Sequence, residues 1–220
     1  MLLSMNVIEL FSSIDGEGKR QGFLTTFLRL HDCNIRCSYC DTLYSYGPES
    51  TFESMSVQAV ADVIEQLENH RITITGGEPL LQEPAIIELI DELTRRNARY
   101  DFNIETNGTI IPSFHRDNVW FTYDYKTPSS LAEEAMNLDI FKVATPADII
   151  KFVVGSMQDL DRMDEILKTY PTEAQVFVSP VWGNIEGATI IEYMKAHNWQ
   201  NVRFQLQIHK FIWDPDAKGV

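Results

Sequence analysis

No stretch of the 220 residues approaches the ~20 apolar residues that a membrane span requires. The opening stretch, MLLSMNVIELFSS, lacks a basic region and a small-residue cleavage site, so it does not read as a signal peptide. A soluble, cytoplasmic protein is the expectation. Positive charge is also scarce: 18 Lys and Arg stand against 32 Asp and Glu, a net of −14. Such a chain repels phosphate backbones at long range, and contact with tRNA or DNA would need a local basic patch. The densest basic spot, TRRN (Thr94 to Asn97), reads as a helix end, so neither nucleic acid nor membrane is expected as a partner. Internal repeats, low-complexity runs and Pro- or Ser-rich linkers are missing too, which favours one domain over residues 1–220.

What is present is an alternation of strands and helices. SVQAVADVIEQLENH (Ser56 to His70) carries apolar residues at helical spacing, with Ser56 placed as an N-cap. ITIT (Ile72 to Thr75) reads as a β-branched strand stopped by Gly76 and Gly77, and EPAIIELIDELTRRN as a second helix. Strands FNIE, VWFTYDYK, IIKFVV, QVFVS and VRFQLQ follow, with helices expected in SSLAEEAMNL, LDRMDEILKTY and ATIIEYMKAH. With the early strand FLTTFLRL (Phe23 to Leu30), about six to seven mostly parallel strands are expected, in an α/β sheet that is open or curved into a barrel. In such sheets functional groups gather beyond the carboxyl ends of the strands. Here those ends carry the cysteine segment, GGEP, ETNGT, DYKTP, SPVWG and QIHK.

Cysteine is confined to one place. Cys33, Cys37 and Cys40 all fall within HDCNIRCSYCDT (His31 to Thr42). Ordinary buried thiols would be scattered, and an odd count in a cytoplasmic chain disfavours a disulfide framework. Zinc would normally add a fourth Cys or His at regular spacing; His31 is adjacent and His197 and His209 are remote, so a Cys3His site is possible but poorly patterned. An iron–sulfur cluster held by three thiolates leaves one iron open for a substrate or cofactor.

C-x3-C-x2-C with an aromatic residue, Tyr39, before the third Cys resembles the radical S-adenosylmethionine (SAM) superfamily. That resemblance implies a partial (βα) barrel and a [4Fe–4S] cluster bound by Cys33, Cys37 and Cys40. Its open iron would chelate SAM, which the reduced cluster cleaves to methionine and a 5′-deoxyadenosyl radical. TGGEP (Thr75 to Pro79) resembles the motif whose backbone holds the methionine amino group. FSSIDGEGKRQG, TTFLRLHDCNIRCSYCDT, TGGEPLLQ and QLQIHKFIW, with ETNGT, are similar to the 7-carboxy-7-deazaguanine synthase family along the whole chain.

The family resemblance implies ring contraction of 6-carboxy-5,6,7,8-tetrahydropterin to 7-carboxy-7-deazaguanine with loss of ammonia, on the route to queuosine in tRNA. It implies Mg2+ as a further cofactor, with Thr42 as its ligand. SAM contacts are implied for Tyr39, Asp41, Gly76, Gly77 and Glu78, and also for Glu105, Asp124, Lys126 and Ser179. Substrate contacts are implied for Ile14, Asp15, Gly16, Arg29 and Thr75, with Gln207 and His209 from the C-terminal extension. Two departures stand out: Asp15 occupies a place where members often carry Gln, and YDYK replaces a common Ser-Pro-Lys. No residue is assigned as a general base. A flavodoxin- or ferredoxin-type electron donor and a homodimer are further implied partners. The tail DPDAKGV (Asp214 to Val220), with its Pro, Gly and charges, reads as a segment that frays.

Two other functions fit part of the pattern. A radical SAM activase that forms a glycyl radical on a partner protein shares the three-cysteine loop and a D-x-K segment like Asp124 to Lys126. A non-enzymatic iron–sulfur or zinc redox sensor explains the cysteines but leaves GGEP and the polar strand ends unused.

Overall fold

The chain opens on strand β1 (Ser4–Ile14) and turns back antiparallel as β2 (Leu24–Leu30). The other edge of β1 pairs antiparallel with the short β3 (Glu53–Ser56). From β2 onward every neighbour is parallel: β4 (Arg71–Gly76), β5 (Asp101–Thr106), β6 (Val119–Tyr125), β7 (Ile149–Val154), β8 (Gln175–Pro180) and β9 (Val202–Phe204) follow in that order. This computed structural model describes residues 3–215 and 217–219; Met1, Leu2, Asp216 and Val220 lie outside the described residues. The sheet runs β3-β1-β2-β4-β5-β6-β7-β8-β9 without closing, so it is a partial barrel.

Helices cover the outside of the parallel part. In α1 (Val57–Gln66) the Ser56 hydroxyl accepts the Ala59 N–H at 3.2 Å, and Val57, Val60, Ala61 and Ile64 face the core. The second helix, α2 (Glu83–Arg96), buries Ala85, Ile86, Leu89, Ile90 and Leu93 at the same period. A single turn, α3 (Ile140–Val143), precedes β7, and α4 (Met157–Thr169), α5 (Gly187–Ala196) and a short α6 (His209–Ile212) complete the series. No helix among the described residues is long and apolar enough to cross a membrane. The basic TRRN segment does end α2, where Arg96 pairs with Asp62, Glu65 and Glu92.

The parallel strands β2 and β4 to β9 match the expected set. β1 and β3 are additions that the alternation in the sequence does not reveal. A bulge between Val7 and Glu9 breaks the period of two within β1 and so hides it. SSLAEEAMNL is a correction: it forms 3-10 turns at Pro128–Ser130 and Glu133–Ala135 instead of a helix. Long-range partners override its helix propensity. Asp159 Oδ1 accepts the Ser129 N–H (2.9 Å), the Ser130 carbonyl accepts Ser38 N–H (2.9 Å), and Leu131 takes φ 57°. Expected strand VRFQLQ also shortens, because residues after Phe204 leave the ladder to close the barrel's gap. There Ile208 N–H donates to Gly16 O (3.1 Å), Gly18 N–H to Gln205 Oε1 (2.8 Å) and Gln21 Nε2 to Leu206 O (2.6 Å). The loop after β1 is thereby sewn to the segment after β9.

Candidate active site

Beyond the carboxyl ends of the parallel strands lies a cavity of about 290 Å³. Its wall begins with the cysteine loop, whose backbone is tied to three neighbours. Asp32 N–H donates to Ser45 O (2.8 Å), Gly77 N–H to Leu30 O (3.2 Å) and Glu78 N–H to Asp32 O (2.8 Å). A Cβ on Gly77 would lie 2.1 Å from Asp32 O and 2.7 Å from Cys33 Cβ, so only glycine lets β4's loop meet the cysteine loop this closely. Ser38 fastens the loop's far side, its hydroxyl donating to Ser129 O at 2.5 Å. Tyr39 reaches across to donate to Val153 O (3.3 Å).

All three cysteines are free, partly exposed and line the cavity. Burial pushes the Cys37 thiol up to about 11, so the unmetallated side chain is a thiol and loading iron must release its proton. Among the described residues no three His, Cys, Asp or Glu side chains are grouped as a single metal ion would need. Thiolates that each bind a separate iron of a cluster need not converge on a point, and the loop suits that donor set.

Among the described residues, six carboxylates and five lysine or arginine side chains line the cavity. Asp15, the first residue after β1, accepts from Thr73 Oγ1 (3.3 Å) and lies 3.7 Å from Arg20 Nε. Burial pushes its carboxyl up to about 6 against the pull of Arg20. Glu105, on β5, is pushed by burial up to about 7, with Lys151 opposing. Lys151 projects from the otherwise apolar β7 and reaches Glu17 (3.2 Å) and Asp124 (3.5 Å). Burial alone would lower its pKa, but Glu17, Asp124 and Glu105 outweigh burial and hold the ammonium charged. Lys126 Nζ lies 3.1 Å from Asp124, and Lys210 Nζ 3.6 Å from Asp41. Arg29 Nε donates to Glu9 Oε1 (2.6 Å), an acceptor it shares with the Tyr44 hydroxyl (2.8 Å).

The cavity brings together Ile14, Asp15, Gly16, Arg29 and Thr75 with Gln207 and His209, the residues singled out for substrate. It likewise gathers Tyr39, Asp41, Thr42, Gly76, Gly77, Glu105, Asp124 and Lys126. Glu78 and Ser179 are not on its wall; both are fully buried. Glu78 instead accepts Leu80 N–H (2.9 Å), Thr106 Oγ1 (3.0 Å) and Asn107 N–H (2.7 Å), so it joins the loops after β4 and β5. Gln207 Nε2 donates to Glu17 Oε2 (3.3 Å), and Gln205 Nε2 to Glu17 Oε1 (3.3 Å), which gives Glu17 a fixed orientation. His209 meets the N-terminal loop edge-on: a Cβ on Gly16 would sit 2.0 Å from its Nδ1 and 3.0 Å from Cε1 and Cγ.

Glu9, Glu17, Tyr44, Lys151 and Lys210 also line or support the cavity and were not singled out from the sequence. The lone lysine in IIKFVV and the glutamate inside IDGEG were the available signals. The tail is a further difference. Asp214, Pro215, Ala217, Lys218 and Gly219 line the cavity, and Lys218 Nζ sits 4.2 Å from the centre of the Tyr44 ring. A cation on an aromatic face gives an exposed terminus the contact that composition does not disclose. Asp216 and Val220 of that tail lie outside the described residues.

A cysteine loop leading out of β2 into a partial barrel defines a radical SAM enzyme, and residues 29–137 match the Radical SAM superfamily. That class implies a [4Fe–4S] cluster and SAM. The residues fit both: three free thiols for the cluster, and for SAM a cavity on which Asp124 Oδ1 is buried with no hydrogen-bond partner. Full-length relatives narrow the class. The chain is 36% identical to 7-carboxy-7-deazaguanine synthase of Clostridium acetobutylicum over 99% of this chain and 100% of that one. It is 37% identical to the protein of the same name from Methanospirillum hungatei, over 96% of this chain and 86% of that one. The crystal structure of QueE from Escherichia coli shares the fold, with a TM-score of 0.69 and 24% identity, covering 92% of this chain and 93% of that chain. The chain belongs to the 7-carboxy-7-deazaguanine synthase family.

Proposed function

We propose that the protein converts 6-carboxy-5,6,7,8-tetrahydropterin to 7-carboxy-7-deazaguanine with loss of ammonia. The observation that carries this reading is the convergence, on one cavity, of the cysteine loop with the IDGEG loop and the segment after β9. Cluster and SAM, when bound, supply a carbon radical able to abstract hydrogen from the substrate. Every other task falls to the chain. Asp15 and Glu17 offer carboxyl oxygens to the amino and ring N–H groups of a pterin edge. Arg29 keeps Nη1 and Nη2 without a protein acceptor among the described residues, so its fork is free to take a substrate carboxylate while Glu9 holds Nε. Asp124, with its unpartnered Oδ1, and Lys126 suit the hydroxyl and carboxylate groups of SAM.

Mg2+ would use Thr42, whose hydroxyl lies 2.9 Å from Asp41 Oδ1, with oxygens of the substrate completing the shell. A homodimer, a flavodoxin- or ferredoxin-type donor and a cytoplasmic setting belong to the same reading. Anaerobically reconstituted protein incubated with SAM, reductant, Mg2+ and the carboxytetrahydropterin should release the deazaguanine. SAM cleavage without that product would remove the proposal and leave a glycyl-radical activase or another small substrate.

A further inference from the structure

We propose that Asn107 sets the reduction potential of the iron–sulfur cluster by donating a hydrogen bond to the Cys33 sulfur. The inference rests on the cluster reading of the three cysteines and adds a residue that this reading does not use. Asn107 follows β5, is buried, and lines the cavity. Its Nδ2 lies 3.7 Å from Cys33 Sγ and 2.9 Å from Asn34 Oδ1, so each of its two protons has one acceptor.

The orientation of that amide is over-determined. Asn107 Oδ1 accepts the Thr109 backbone N–H (3.1 Å) and the Thr109 hydroxyl (2.7 Å). A backbone N–H can only donate, so the oxygen must face Thr109 and the NH2 must face the cysteine. Asn34 Nδ2 in turn donates to Thr109 Oγ1 (2.8 Å), which leaves the Thr109 proton free for Asn107. The Asn107 backbone N–H is anchored separately on Glu78 Oε2 at 2.7 Å. None of these restraints involves the cysteine. The amide is therefore held in donating position whether or not iron is bound.

A hydrogen bond to a ligating thiolate withdraws electron density from sulfur. It stabilises the one-electron-reduced cluster, which carries the extra negative charge, more than the oxidised one, and so raises the potential. Asn107 is thus a side-chain donor to the cluster ligand that a substitution can remove. Its effect would be to let a physiological donor reduce a cluster that sits in a strongly acidic chain.

The test is an EPR-monitored redox titration of the reconstituted cluster without SAM, in the wild type and in Asn107→Ala, Thr109→Val and Asn34→Ala. The Asn107→Ala midpoint should move to more negative potential, so that less than half of its cluster is reduced at the wild-type midpoint. Thr109→Val, which frees the amide without removing it, should move the midpoint less in the same direction. Asn34→Ala disturbs the same trio but keeps the donor and its clamp, so its midpoint should stay at the wild-type value. An unchanged midpoint in Asn107→Ala with an intact cluster signal overturns the proposal, as does an equal shift in Asn34→Ala. Should Asn107→Ala fail to assemble a cluster, Thr109→Val decides, an unchanged midpoint there counting against. Wild-type protein that binds no four-iron cluster would instead sink the cofactor reading itself.

Discussion

At the scale of single residues, burial sets the chemistry more than residue type does. Burial raises the Asp15 carboxyl to about 6, so below that pH it can donate a hydrogen bond as an amide does. A carboxyl whose folded pKa lies above its ordinary value of 3.8 binds its proton more tightly in the folded protein. Its contribution to stability is present below about pH 4 and is lost as pH rises through about 6. The unfolding free energy of wild type relative to Asp15→Asn should therefore fall by up to ~3 kcal/mol between those limits, measured by urea unfolding. A flat difference would mean that Arg20 offsets the burial. Gly77 makes a second prediction. In Gly77→Ala the added methyl collides with the backbone of Asp32 and with Cys33. A cost of about 1–3 kcal/mol and a lower iron content after reconstitution are expected, read by thermal unfolding and iron assay.

Whole elements show why Lys151 is tolerated inside β7. Its neighbours Ile149, Ile150, Phe152, Val153 and Val154 are all buried, so the strand reads as a purely apolar member of a parallel sheet. The lysine points into the barrel, where Glu17 from the β1 loop and Asp124 from β6 meet it. It thus joins the loop after β1 to β6. Lys151→Met should leave Glu17 without its cation and Asp124 with Lys126 alone, and cost roughly 3–5 kcal/mol in denaturant unfolding. Adding Glu17→Gln to Lys151→Met should recover part of that loss, and strict additivity of the two changes would exclude the coupling. Elements with a clean period were legible from sequence: α1, α2, α4, α5 and the parallel strands. β1 was not, because its bulge scrambles the alternation, and neither was the stretch after β6, where Asp159 and Ser38 capture backbone groups that a helix would have used.

For the molecule as a whole, closure of the barrel depends on pieces far apart in sequence. The segment after β9 seals the gap against the β1 loop, and the tail continues along the cavity mouth to Tyr44. Deleting residues 214–220 should leave the fold and the iron content intact while raising KM for the pterin, as circular dichroism, iron assay and steady-state kinetics would report. An unchanged KM would show that the tail only rests there. What the sequence by itself determined is local or short-range: the cysteine spacing, the strand–helix alternation, the glycines after β4, and hence the class of chemistry. These are legible because the reactive groups lie within a few residues of one another or at strand ends that the alternation predicts. Tertiary structure alone decided that Glu17, Lys151 and Asp124 form one ionic chain, that Glu78 braces loops instead of facing the cavity, and that Asn107 points at Cys33. Those pairs come from different strands, and only the curvature of the sheet brings their side chains within hydrogen-bonding distance.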